Sequence, residues 1–409
     1  MPEPVGTPQG PDAELKRRVH LRLLSEVARD EHAPRTDPRE PALRSALSEL
    51  LRSEDPLITG ARHERLLDEL VDEVAGLGPL QPLFSDPSVT EVMVNGTDRV
   101  YVERGGRVER VPVRLDAASV LRLVERIIGP LGLRLDRSSP IVDARLPDGS
   151  RLHAIVPPLS VDGPCVTIRR FTADGVGTDA FGASPAVAAF LRWAVTHGAN
   201  VVVSGGTSAG KTTLCNALAA AVPPDARVVT IEETAELRLP LPHVVRLESR
   251  LPNAEGAGGV PVRALVRAAL RMRPDRLVVG EVRGAEAFDL LQALNTGHDG
   301  SFTTVHANGV DAVVDRLAGL VLMAGVGIPA EVARQQIAHA IDYVVHVVRR
   351  DGGRRIQTVG ELVPSGGGVA VVPLFEWGPA GLAAVGSPVR PPRRPDAPQP
   401  DPRWFACCG

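Results

Sequence analysis

The sequence contains very little lysine, few aromatic residues and little net charge. Of its 46 basic residues, 44 are arginine, and Lys16 and Lys211 are the two lysines. Aromatic residues make up 3% and the net charge is −3, so the chain lacks the stacking residues and the positive charge that are typical of nucleic-acid-binding proteins. Scarce lysine is typical of GC-rich codon usage, so the arginine-rich stretches alone do not indicate a nucleic-acid site.

Cysteines and long apolar runs are also scarce. Four cysteines (Cys165, Cys215, Cys407 and Cys408) are too few for a disulfide framework in 409 residues, which indicates a reducing, cytoplasmic compartment. Residues 1–30 have no apolar core of a signal peptide. The longest apolar stretch, 317–330, has fourteen residues and is interrupted by glycine and proline, whereas a membrane span needs about 20. We therefore expect membrane contact only through a partner.

Hydrophobic spacing divides the chain into five segments. Residues 1–75 predict a helical extension with a flexible start, because apolar residues recur at helical spacing over 14–30 and again before 75. Short alternating strands and one helix over 76–171 predict an α+β domain. A Gly/Asp-rich linker over 172–183 leads to strands that alternate with helices over 184–385, which predicts a parallel sheet. The Pro/Arg-rich tail over 386–409 is expected to be disordered.

The strongest chemical signal is a glycine-rich loop between a predicted strand over 200–204 and a predicted helix over 212–222. In such a loop the backbone N–H groups turn inward around phosphates, Lys211 reaches the β and γ oxygens, and the Thr212 hydroxyl binds Mg²⁺. The start of the helix adds its positive dipole end. The predicted cofactors are therefore ATP and Mg²⁺. The predicted binding residues are Gly205, Gly206, Thr207, Ser208, Ala209, Gly210, Lys211, Thr212 and Thr213.

Carboxylates follow two further predicted strands. Glu281 ends the apolar run 277–280, and because the carboxyl ends of parallel strands meet at one edge of a sheet, it is predicted to orient and deprotonate the attacking water. A helix-capping role for Glu281 is the alternative. Glu232, Glu233 and Glu236 follow the strand predicted at 228–231. Acids there can hold Mg²⁺ through water, but a solvated turn explains them equally well.

Two histidines, His298 and His306, flank a short strand predicted within 301–306. Metal binding is not indicated, since no cysteine or further histidine stands at ligand spacing. Sensing of the γ-phosphate through a hydrogen bond is the sharper hypothesis, and a structural or exposed position is the plainer one.

Together these segments resemble the secretion ATPases of type II and type IV secretion and pilus assembly, and most of all the CpaF-like branch that serves Flp/Tad pili. The resemblance covers about residues 77–362. Its most specific parts are Gly-Glu-Val-Arg-Gly at 280–284, which is similar to the family's Walker B variant, and the stretch 297–308, which is similar to its His box. Residues 229–236 match the family's Asp box, although Glu233 stands where the family usually has Asp.

The resemblance implies an α/β fold in which a RecA-like P-loop NTPase motor domain follows a smaller α+β, PAS-like domain. It also implies a homo-hexamer that is peripheral at the cytoplasmic face of the inner membrane and acts on a polytopic platform protein, without direct membrane insertion. Lys211, Thr212 and Glu281 would bind and hydrolyse ATP. Glu232 and Glu236 would support Mg²⁺ and water, and His298 and His306 would sense the phosphate.

Residues 166–171 resemble the family's strand before the linker. There Arg169 and Arg170 would reach nucleotide phosphates as the domains close, and a guanidinium group suits that role because it pairs with phosphate in a fork. In a chain this rich in arginine, the two could equally form a surface pair.

Three functional hypotheses follow. The first is a hexameric ATPase that powers pilus assembly or protein secretion. The second is a RecA-like nucleic-acid motor, against which the net charge of −3 and the few aromatic residues argue. The third is a nucleotide-gated scaffold without turnover, for which Glu281→Gln would leave phosphate release unchanged.

Overall fold

The computed structural model describes residues 11–27, 41–113, 115–146, 148–170, 176–250, 252, 257–350, 353–366 and 368–406. The chain divides into two compact units, Met1–Phe171 and Thr172–Gly409. Across those described ranges, no helix combines the length and the apolar composition that crossing a membrane requires. Cys165 and Cys215 are free thiols, and Cys407 and Cys408 lie outside the described residues.

Helices build the start of the first unit, in the order α1 (Pro11–Val27), α2 (Pro41–Glu54) and α3 (Gly60–Ala75). Leucines at helical spacing, including Leu47, Leu51 and Leu66, are fully buried between them. Lys16 of α1 donates to Glu69 and Glu73 of α3, which ties these two helices together. The helix predicted over 14–30 is present as α1, and residues 28–30 lie outside the described part.

An antiparallel sheet completes the first unit. Its strands within the described residues lie in the order β3-β2-β1-β6-β5-β4, and one face packs on α5. On β6, Val166 and Ile168 are buried while Arg169 is exposed, so the sheet has one covered face and one open face. The elements are α4 (Gln81–Ser85), β1 (Val89–Asn95), β2 (Arg99–Arg104), β3 (Arg107–Val111), α5 (Ala117–Ile128), β4 (Ile141–Arg145), β5 (Arg151–Ile155) and β6 (Cys165–Arg169).

The second unit is built on one large sheet with helices on both faces. Its described strands lie in the order β15-β14-β13-β12-β7-β11-β10-β8-β9; those from β12 to β9 are parallel, and the pairs from β12 to β15 are antiparallel. The elements are α6 (Pro185–Thr196), β7 (Val201–Gly205), α7 (Lys211–Ala219), β8 (Val228–Glu232), β9 (Val244–Glu248), α8 (Val262–Ala269), β10 (Arg276–Val279), α9 (Glu286–Leu294), β11 (Phe302–Val305), α10 (Asp311–Met323), α11 (Ala330–Ala340), β12 (Tyr343–Arg350), β13 (Gly353–Ser365), β14 (Gly368–Gly378) and β15 (Gly381–Ala384).

Burial on both faces explains why the central strands are apolar runs. Val201 and Val203 of β7 belong to the core under α6 and α7, whereas Val202 belongs to the core under α8 to α11. Strands β7, β11 and β10 are neighbours in this sheet, so the residues that follow them meet at one edge.

Two expectations about segments of low sequence complexity need correction. Within the linker predicted over 172–183, Thr178–Phe181 forms a 3₁₀ turn and Phe181 is buried in the core of the second unit. The prediction of a disordered tail is also wrong for residues 386–406. This segment is named here the C-terminal strap. Phe405 of the strap packs on Phe190 and Phe375, and Trp193 donates to the carbonyl of Pro398.

Candidate nucleotide site

The phosphate loop (residues 205–212) joins β7 to α7, so a buried central strand holds one end and a helix N-terminus holds the other. Gly205 has no room for a side chain, because a Cβ there would lie 2.3 Å from the carbonyl oxygen of Val347 on the adjacent strand β12. Gly210 has φ +96° where the loop enters α7, a conformation that glycine adopts without steric cost. Ser208 has a positive φ of 58°. This backbone is the one that turns its N–H groups toward a bound anion.

Lys211 is the charged centre of the loop. Its side chain is only 7% exposed, and its ammonium donates to the carbonyl oxygens of Gly205 at 3.2 Å and Gly206 at 2.9 Å. The same Nζ lies 3.2 Å from Nε2 of His306. Thr212 and Thr213 follow in the first turn of α7. The Thr212 hydroxyl is an oxygen ligand of the kind that Mg²⁺ prefers, so these residues fit a magnesium–nucleotide complex.

Glu281 lies beyond the end of β10, on the same sheet edge as the phosphate loop. Its Oε1 lies 2.9 Å from Nε2 of His306, and its Oε2 accepts a hydrogen bond of 2.8 Å from Arg283. Burial acts to raise the pKa of Glu281, but the Arg283 hydrogen bond and the positive charges of Arg283 and Lys211 outweigh it and hold the pKa below its usual value. The carboxylate is therefore ionised at neutral pH and available as a proton acceptor.

His306 stands between these two groups. It follows β11, which lies between β7 and β10 in the sheet, so its ring faces both the phosphate loop and Glu281. Burial, together with the charge of Lys211, lowers the pKa of His306 despite the opposing effect of Glu281. A neutral imidazole at this point can donate its N–H to a phosphate oxygen without adding charge.

Glu232 ends β8, which is separated from the phosphate-loop strand β7 by β11 and β10, and its carboxylate points at the turn that follows it. It accepts backbone hydrogen bonds from Glu236 and Leu237, and it is 4% exposed. Burial raises the pKa of Glu232 to about 7. The Glu232 carboxylate therefore holds the turn over 233–237 through these hydrogen bonds. Glu236 lies in that turn and is half-buried.

The prediction that His298 senses the phosphate is wrong for a site within one chain. His298 precedes β11, whereas His306 follows it, and β11 runs parallel to β7. The two histidines therefore lie at opposite edges of the sheet, on either side of the four-residue strand β11. The Nδ1 atom of His298 lies 3.0 Å from the carbonyl oxygen of Ala293, at the end of α9.

The first unit carries the two arginines expected to bind phosphate, and the structure distinguishes them. Arg170 donates to the carbonyl oxygens of Asp86 at 2.5 Å and Val89 at 3.1 Å, so its guanidinium is engaged in holding the start of β1. This structural role differs from the phosphate contact expected of it. Arg169 is exposed on the open face of β6.

Two further arginines on this open face were not predicted as functional residues. Arg145 of β4 pairs with Arg151 of β5, which pairs with Arg169 of β6, so three guanidinium groups form one row across adjacent strands. Like charges at such cross-strand positions oppose folding, and Glu91 of β1, which stands opposite Arg169, offsets part of that repulsion. Only the strand register reveals the row. The signal available in the sequence is the alternation, along each strand, of residues expected to be buried and residues expected to be exposed.

Known proteins that are similar to this chain are named for secretion and conjugal transfer. The family described as "Type II/IV secretion system protein" matches residues 73–359. The chain is 43% identical to "Putative conjugal transfer protein Rv3659c" of Mycobacterium tuberculosis (strain ATCC 25618 / H37Rv), over 75% of this chain and 90% of that protein. It is 33% identical to "Type IV secretion system protein VirB11" of Brucella suis biovar 1, over 69% of this chain and 88% of that protein.

Solved structures show the same fold. The crystal structure of the pilus retraction motor PilT with bound ADP matches with a TM-score of 0.52 and 19% identity, over 71% of this chain and 83% of that chain. The predicted fold class, an N-terminal domain followed by a RecA-like domain, is thereby confirmed.

Proposed function

Because the chain belongs to the family of type II/IV secretion system proteins, we propose that it hydrolyses ATP to power protein secretion or pilus assembly. The observation that carries this proposal is the meeting of three side chains at one sheet edge. Lys211 Nζ and Glu281 Oε1 have the same neighbour, Nε2 of His306, at 3.2 Å and 2.9 Å. A phosphate-binding cation and a candidate base thus stand on either side of one neutral hydrogen-bonding group.

The residues divide the work of phosphoryl transfer. The phosphate-loop amides and Lys211 bind the phosphates and offset the charge that develops on them. When bound, Mg²⁺ neutralises phosphate oxygens, and Thr212 is the residue that would hold it. Glu281 orients the attacking water and takes its proton, and His306 contacts the terminal phosphate. Within the first unit, Arg169 in the arginine row is the proposed phosphate ligand. On the resemblance of residues 229–236 to the Asp box, Glu232 and Glu236 are proposed to support Mg²⁺ and water.

The proposal extends to the assembly. We assign the chain to the CpaF-like branch that serves Flp/Tad pili, on the resemblance of residues 280–284 and 297–308. It acts as a homo-hexamer on a polytopic inner-membrane platform protein, peripheral to the cytoplasmic face of the membrane. An arginine from a neighbouring subunit supplies further charge to the transition state.

Replacing Glu281 by Gln tests the proposed reaction. The amide keeps the size of the side chain but cannot accept a proton, so phosphate release should fall at least about 100-fold while ATP still binds. Steady-state phosphate release and the affinity for a fluorescent ATP analogue are the two measurements. In the cell, the same substitution should stop pilus assembly or secretion.

Glu331→Gln, an exposed acid on α11, is the matched control and should keep wild-type turnover. Turnover that persists in Glu281→Gln would contradict the assignment of the base. Phosphate release at background level in both the wild-type protein and Glu281→Gln, with ATP still bound, would instead favour a scaffold that binds ATP without hydrolysing it.

A further inference from the structure

Arg283 links Glu281 to the loop that follows β8 through two side-chain hydrogen bonds. Nη2 of Arg283 donates to Oε2 of Glu281 at 2.8 Å, and Nη1 donates to Oε2 of Glu233 at 2.8 Å. Glu233 follows β8, the neighbour of β10 in the sheet. A guanidinium group can bridge two carboxylates in this way because its N–H donors diverge in one plane.

The two oxygens of Glu281 have different neighbours. Oε2 is held by Arg283, while Oε1 faces His306. The terminal torsion of a glutamate is broad, so a carboxylate without such a contact rotates between orientations. Holding Oε2 therefore fixes the direction of Oε1, the oxygen that faces His306.

The backbone on both sides of this bridge is also fixed. The side chain of Glu286 accepts from the N–H groups of Arg283 and Gly284, each at 2.7 Å, and Val282 donates its N–H to the carbonyl of Thr304. On the other side, Ser249 donates its hydroxyl to the carbonyl of Glu233 at 3.2 Å. The bridge therefore joins two loops whose backbones are held by hydrogen bonds. A substitution in the bridge changes side-chain contacts without removing those backbone hydrogen bonds.

The bridge contributes little to folding. Arg283 and Glu233 are 54% and 53% exposed, whereas Glu281 is 20% exposed. Ion pairs as exposed as Arg283–Glu233 have small effects on stability, because water screens them and ordering two long side chains costs entropy. An effect of these residues on turnover can thus be separated from an effect on the fold.

We infer that Arg283 is a positioning residue for Glu281, and that Glu233 is the anchor that aims Arg283. The inference rests on the proposed function, because it assigns Glu281 as the group that activates water. Arg283 orients the Glu281 carboxylate, and Glu233 acts on the reaction only through Arg283.

A double-mutant cycle on the full-length chain tests this assignment. Arg283→Gln should lower kcat about 10- to 100-fold, because a small misplacement of a reacting group has an effect of this size, and should leave KM for ATP within about 2-fold. Glu233→Gln should lower kcat less, by about 3- to 10-fold. The double variant should match Arg283→Gln alone, since Glu233 has no separate route to the reaction. Arg283→Lys should recover part of kcat, because an ammonium group can hold one carboxylate but not bridge two in a fork.

Controls separate the possible failures. Arg334→Gln removes an exposed arginine–carboxylate pair to Asp315 of the same kind and should leave kcat unchanged. Unchanged kcat in Arg283→Gln, or weakened binding of the ATP analogue, would overturn the positioning role. Losses that multiply in the double variant would overturn the role of Glu233 as anchor. Persistent turnover in Glu281→Gln would instead refute the role of Glu281 as the base, and a wild-type protein that binds ATP but releases no phosphate would refute the proposed function itself.

Discussion

At the residue scale, the buried carboxyl group of Glu232 has the clearest consequence for solution behaviour. Its pKa of about 7 in the folded chain lies above the ordinary value of 4.5 for a glutamate, because burial disfavours the charged form. As the pH rises from about 4.5, the unfolded chain loses this proton first, so the folded state is progressively destabilised until the pH passes about 7. The contribution that is lost amounts to about 3 kcal/mol.

Glu232→Gln removes this titration. The free energy of unfolding of the variant, relative to the wild-type protein, should therefore increase by about 3 kcal/mol between pH 4.5 and pH 7.5. Tryptophan fluorescence in a urea titration measures it, because Trp193, Trp377 and Trp404 all lie in the second unit. A difference between the two proteins that does not change with pH would show that Glu232 is ionised throughout.

Individual residues were predictable where local sequence fixes the chemistry. The phosphate loop needs only a strand, glycines and a helix start in sequence, and the structure has all three around Lys211. The placement of His298 was not predicted, although the rule for parallel strands separates a residue before β11 from one after it. The bridge from Arg283 to Glu233 was not predictable, since it joins residues 50 positions apart through side-chain geometry.

At the element scale, the C-terminal strap shows that a proline- and arginine-rich segment can be a structural part. Buried acidic side chains of the second unit form hydrogen bonds and ion pairs with the strap. Glu361 accepts from the backbone N–H groups of Val389 and Arg390, and Asp342 accepts from Arg393 Nε at 2.6 Å. The composition of the strap predicts disorder because it contains few apolar residues. Its order depends on carboxylates that lie far away in sequence and cannot be paired with it by pattern alone.

Arg393 is the residue that tests the strap. Its side chain is 13% exposed and Asp342 is 10% exposed, so Arg393→Gln leaves a buried carboxylate without its main partner. The free energy of unfolding of the second unit should fall by about 2–4 kcal/mol. Denaturant unfolding followed by tryptophan fluorescence is the measurement.

The strap provides its own control for that experiment. Arg403 forms an exposed pair with Asp401 in the same segment, and Arg403→Gln should leave the unfolding midpoint unchanged. Equal midpoints for Arg393→Gln and the wild-type protein would mean that the strap does not stabilise the second unit.

At the scale of the whole molecule, features that depend on neighbouring residues could be predicted from the sequence, and features that depend on pairing between distant segments could not. The alternation of strands and helices over 184–385 predicted a parallel sheet, and β7 to β12 form one. Edge strands such as β3 were not predicted, because residues 107–110 are all exposed and three of the four are charged, so they carry no alternating apolar pattern. The order of strands in the sheet, which brings β11 between β7 and β10, depends on long-range pairing and was not available from any local segment.

Charge and aromatic content separate the secretion motor from a nucleic-acid motor with the same fold. A protein that neutralises 6–10 phosphates loses about 10³- to 10⁵-fold in affinity between 50 and 200 mM salt. With a net charge of −3 and 3% aromatic residues, this chain should bind single- or double-stranded DNA no more tightly than about 10⁻⁴ M at physiological salt, and DNA should not stimulate its ATP turnover. Fluorescence anisotropy across a salt series, with turnover measured in parallel, is the test. Tight binding with a steep salt dependence, together with turnover that rises with added DNA, would favour the nucleic-acid motor.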